Sequence, residues 1–225
     1  MLPVTRADEE LFSTALMAAR LGRARPIVAQ LRKRYEKEWD DPLSGFPYAL
    51  SMVAMLVSGR DDHHEFDYTE VVETLSDLLY QEPGHWLARF LRIHTRTLLP
   101  VETDEHKVYI AAERTRAAAD VAELISRQAE TAWQPWFACA YLLAARLEWE
   151  GDRDEATAAG LIEAAAAQPA SPIGFHSLGG VMCAPFVWYY GEPDAPARET
   201  LGRLMGTLFP DQPTVRRLRS AGAAR

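Results

Sequence analysis

Apolar residues recur every three or four positions along nearly the whole chain, and no stretch alternates apolar and polar long enough to predict a strand. "ADEELFSTALMAARLG" (7–22) opens on acids, which suit a helix N-terminus, and closes on Gly22, a good stop residue. "PIVAQLRKRYEKEW" (26–39) starts with proline at a tolerated first-turn position. "FPYALSMVAMLVSG" (46–59) follows, then "DYTEVVETLSDLLYQ" (67–81), with Asp67 or Thr69 as N-cap candidates. Further helices are predicted over 84–99, 104–133, 135–151, 152–168, 174–191 and 194–209, with a short tail from 214.

"YQEP", "AWQP", "AAQP" and "PDQP" each place a glutamine shortly before a proline at the expected close of a helix. With Pro42, these prolines fall at 83, 135, 169 and 213, at intervals of 41, 52, 34 and 44 residues. Proline beyond a helix end makes a sharp stop, so the repeating unit is a helical hairpin. The expected hairpins are 7–41, 46–82, 84–133, 135–168 and 174–209, followed by a tail over 214–225, all within one domain, 1–225. Each is apolar on more than one face, so neighbours must stack to bury it. Small residues such as Ala138, Ala144, Ala145, Ala159 and Gly160 are the expected points of close helix approach.

The unit at 135–169 resembles a divergent tetratricopeptide repeat. "GDRDEATAAGLIEAAAAQP" is similar to that family's turn, small-residue ladder and terminal proline, with Gly151, Ala156 and Pro169 at the matching positions. "FHSLGG" resembles its Leu-Gly pair at Leu178 and Gly179. The first helices of both units run long, and before about residue 135 only the rhythm is shared. The resemblance implies an all-α stack of antiparallel hairpins in an irregular superhelix, with the first helix of each hairpin lining a concave groove that binds peptides.

Charge narrows the function. With 24 Lys and Arg against 32 Asp and Glu, the net charge is −8, which argues against nucleic acid as the main partner. The start "MLPVTRADEE" lacks the layout of a signal peptide, and the longest apolar runs are about half a membrane span. Cys139 and Cys183 sit in apolar surroundings and suit buried, reduced thiols. A cytoplasmic protein is expected, and the Ala- and Arg-rich composition suggests a bacterial source with a GC-rich genome.

Three stretches carry candidate chemistry. "RDDHHEFDY" (60–68) gathers acids and two adjacent histidines, yet adjacent histidines in a turn diverge, and no helical His/Glu ligand spacing supports them. A solvated interhelix loop is expected there, with no metal. Over 84–99, Trp86, Leu87, Phe90, Leu91, Ile93 and Leu98 make an apolar face, while His85, Arg89, Arg92 and Arg96 recur on the opposite side. That stripe is either an anion-attracting wall for an acidic or C-terminal peptide segment, or a solvated face paired with Glu102, Asp104 or Glu105. On both readings Arg92→Glu leaves folding nearly untouched. "GGVMCAPFVWYYGEP" (179–193) is either a pocket wall or, the better fit, buried core with a kink at Pro185.

Nucleophile elbows, phosphate-binding loops and metalloprotease helices are absent from the sequence. The first expectation is therefore a non-catalytic adaptor that binds a protein or peptide through His85, Arg89, Arg92 and Arg96, without a cofactor. The alternative is an all-helical enzyme or small-ligand binder, with or without a metal, with a site at the 61–67 loop with His85 and Arg89, or at 183–190.

Overall fold

Caps and glycines set the helix limits where periodicity alone leaves them loose. The computed structural model describes residues 4–38, 41–58, 65–98, 104–127, 134–151, 154–191 and 195–222. These form eleven α-helices and one 3-10 turn, with no strand among the described residues. The protein is all-α. It divides into two compact units, 3–120 and 121–225, and the division falls inside the sixth helix.

In the first unit, α1 (Arg6–Arg20) starts at a capping box. Thr5 Oγ1 accepts from the Asp8 amide, and the Asp8 carboxylate accepts from the Thr5 amide. The helix ends where expected: Gly22 takes φ 71°, donating to Ala19, while Arg23 donates to Ala18, a Schellman closure. After α2 (Arg25–Lys37), a 3-10 turn (Pro42–Ser44) leads into α3 (Gly45–Leu56). Ten of the twelve α3 residues are buried, because the helix is apolar all round and lies between neighbours. α1, α2, α4 (Glu65–Gln81) and α5 (Trp86–Thr97) all pack on it. Gly45 is needed at its start: a Cβ there would lie 3.0 Å from Cε2 of Tyr35.

α6 (Asp104–Ser126) spans the division. In the second unit, α7 (Gln134–Glu150) and α8 (Glu155–Ala166) form a close hairpin. Ala138, Ala145, Ala158 and Ala165 are buried there. The expected approach at Gly160 is corrected, since Gly160 is exposed and has open space around its Cα. Ala158, Ile162 and Ala165 form the inner row instead.

α9 (His176–Gly191) packs on α7, α10 (Arg198–Leu208) on α8 and α9, and α11 (Pro213–Gly222) on α10. Leu178–Gly179 has a local purpose. The buried Gln212 side chain donates to the His176 carbonyl at 2.7 Å, and its amide lies 3.2 Å from where a Gly179 Cβ would stand.

The proline punctuation splits in two. Pro83 and Pro169 follow helix ends as expected, whereas Pro42, Pro135 and Pro213 open the next element. A first-turn proline loses no hydrogen bond, so one residue type marks both ends of the connection.

Candidate functional site

The predicted arginine stripe exists, but it faces inward. The Arg89, Arg92 and Arg96 side chains are 10%, 13% and 9% exposed. The expectation of a solvent-facing strip on α5 is therefore corrected. All three guanidinium groups converge on Asp120 of α6. Arg89 Nη1 donates to Oδ1 at 3.0 Å, Arg92 grips both oxygens through Nε and Nη2, and Arg96 Nη1 donates to Oδ2 at 2.6 Å. Asp120 thus accepts four hydrogen bonds, two at each oxygen, which is the capacity of a carboxylate.

Glu113, seven residues earlier on α6, pairs with Arg96 Nε at 2.8 Å and with the exposed Arg116. Two further bonds tie the cluster to its surroundings: Arg89 Nη2 to the Pro83 carbonyl at 2.9 Å, and Arg92 Nη1 to Ser76 Oγ at 3.0 Å. Burial lowers Arg96 from its ordinary value, against the pull of Asp120 and Glu113. What this arrangement does chemically is join α4, the turn before α5, α5 and α6.

The acids that satisfy the stripe lie beyond the expected Glu102, Asp104 and Glu105, whose side chains are outside the described residues. A signal for them was present. Ile110, Ala117 and Leu124 make a buried seven-residue stripe on α6, and Glu113 and Asp120 stand within the same seam. Acids at seam positions of one helix, beside an arginine row on its neighbour, mark an internal ion cluster.

His85 caps α5, and its Nδ1 accepts from the Ala88 amide at 3.2 Å. The ring lies 4.5 Å from the Phe46 ring. Burial depresses its pKa below the ordinary 6.5, while Asp8 and Glu82 pull it back up. Protonating Nδ1 would remove the cap's acceptor. Because the folded pKa is depressed, the stabilisation is whole above the unfolded value near 6.5 and is lost as pH falls through the folded one. The wild type should therefore lose more of its urea midpoint between about pH 7.5 and about pH 5 than His85→Ser, whose hydroxyl caps without titrating. Equal losses would show that the His85 pKa is not depressed by folding.

The other sequence candidates contribute less. Residues 59–64, with His63 and His64, lie outside the described residues, as do the side chains of residues 187–191. Among the described residues no group of three or more His, Cys, Asp or Glu is placed to hold a metal ion. Nor is any helix among them long and apolar enough to cross a membrane. Cys139 and Cys183 are buried free thiols. Burial raises both, Cys183 to about 12, so neither is set up as a thiolate nucleophile.

An open cleft, not anticipated from the sequence, lies where α2, the 3-10 turn and α4 meet. It has a volume of about 280 Å³ and is lined by Tyr35, Asp41, Thr74, Asp77, Leu78, Tyr80 and Gln81. Tyr35 Oη donates to Asp77 Oδ2 at 3.4 Å, and burial raises the Tyr35 pKa, keeping that donor protonated. Tyr35 also stacks on Tyr48, with ring centres 6.0 Å apart. Asp41 Oδ1 accepts from the Leu43 amide at 3.0 Å. Tyr80 is 90% exposed, an unusual position for a large aromatic.

Comparison with protein-family models, with curated proteins and with solved structures finds no match.

Proposed function

We propose that the chain is a non-catalytic binding module of stacked helical hairpins, similar to tetratricopeptide repeats, that holds a partner protein in the cytoplasm at the α2–α4 cleft. The stacked arrangement draws support from register. Arg32 pairs with Glu70 at 3.2 Å and Tyr35 meets Asp77, contacts that advance in the same direction along α2 and α4, as second helices of successive hairpins would. The observation that carries the binding reading is the cleft itself. It is concave and open, with two tyrosines and two carboxylates gathered at its surface.

This moves the site away from the arginine stripe, whose charge is committed to Asp120 and Glu113. It also moves it from the first-helix face to the second-helix face. A photo-crosslinking residue in place of Tyr80 should capture a discrete partner in cells, whereas one in place of Arg203, an exposed residue of α10, should not. Identical products at both positions, or none at position 80, would overturn the reading.

A further inference from the structure

Resting on that reading, we infer that the cleft receives a basic side chain, arginine or lysine, presented by the partner protein. Three features of the cleft select a cation. First, Asp41 and Asp77 contribute two carboxylates, and neither forms an ion pair among the described residues. Arg34 is near enough to sense Asp41, but it is bound to Glu38 at 2.9 Å. Second, Tyr35 and Tyr80 both line the same space, and an aromatic ring attracts a guanidinium or ammonium group over its face. Third, about 280 Å³ sits at the lower edge of the range for ligand pockets, roughly 300–1,000 Å³, which suits one side chain better than a cofactor.

The cleft is also held in shape. Tyr35 is pinned between the Gly45 backbone, Tyr48 and Asp77, so its ring and the carboxylate beside it are fixed before binding. Leu43, 45% exposed on the adjoining 3-10 turn, offers an apolar contact to the residues flanking the inserted side chain. A net charge of −8 favours approach by a basic partner.

The full chain, labelled with ¹³C on its tyrosine rings, is titrated by NMR with a blocked arginine tripeptide. Parallel titrations use its citrulline counterpart, its glutamate counterpart and free arginine. The arginine tripeptide should shift the Tyr35 and Tyr80 signals and bind at least about tenfold more tightly than the citrulline peptide, with affinity falling as salt rises. The isosteric double variant Asp41→Asn, Asp77→Asn keeps the turn cap and the tyrosine acceptor, and it should lose that preference. Equal binding of the citrulline peptide, or an unchanged preference in the double variant, would overturn the inference. Free arginine binding as tightly as the tripeptide would overturn a protein partner as its source. Shifts by the glutamate peptide alone would overturn the cation but leave the binding module standing. Silence from every probe, together with no crosslink at position 80, would remove both.

Discussion

Asp120→Ala should destabilise the chain by about 3–5 kcal/mol, a large share of the roughly 5–15 kcal/mol available to a typical domain. The aspartate side chain is 7% exposed and accepts four charge-assisted hydrogen bonds from three guanidinium groups. Without it, three cations stay buried beside one another and Glu113 is the remaining acid of the cluster. Most of the expected cost is therefore the penalty for stranded charge, and the net worth of the ion pairs is smaller. That distinction can be measured. Replacing Arg89, Arg92, Arg96, Glu113 and Asp120 together by apolar residues of similar volume should be far less damaging than removing Asp120 alone. Urea denaturation of both variants gives the comparison, and a loss below about 1 kcal/mol for Asp120→Ala would show that water readily replaces the carboxylate.

The same geometry reverses one expectation drawn from the sequence. If the stripe were exposed, Arg92→Glu would leave folding nearly untouched. In the structure it places a carboxylate against Asp120 in a buried site and removes the donor to Ser76. The periodicity of Arg89, Arg92 and Arg96 placed them correctly on one face of α5, but spacing along one helix does not say what covers that face.

Elements governed by local rules were legible in the same way. The Gly22 stop, the proline-led start of α2 and the all-apolar α3 follow from backbone and burial rules acting within a few residues. The 3-10 turn and the double use of proline escaped, because a proline after one helix and a proline opening the next look alike in sequence. The cleft was illegible for a different reason. Tyr35 and Asp77 are 42 residues apart, and their meeting depends on tertiary packing, which no local pattern encodes.

The apolar face of α5 was legible from its period, and it supports the second large prediction. Trp86→Ala should cost about 3–5 kcal/mol, because Trp86 is 1% exposed and stacks on Phe90 with ring centres 5.3 Å apart. Trp86→Phe keeps an aromatic on Phe90 and removes less volume, so its loss should be clearly smaller. The two faces of α5 then test whether the helix acts as one rigid piece. Glu113 meets α5 at Arg96, on the polar side, ten residues along the helix from Trp86. For independent sites, the losses of Trp86→Phe and Glu113→Gln should add to within about 0.5 kcal/mol in the double variant. A larger deviation in the urea-derived free energies would mean that α5 shifts or rotates when either face is weakened. Its ion cluster and its apolar face would then have to be treated as one coupled unit.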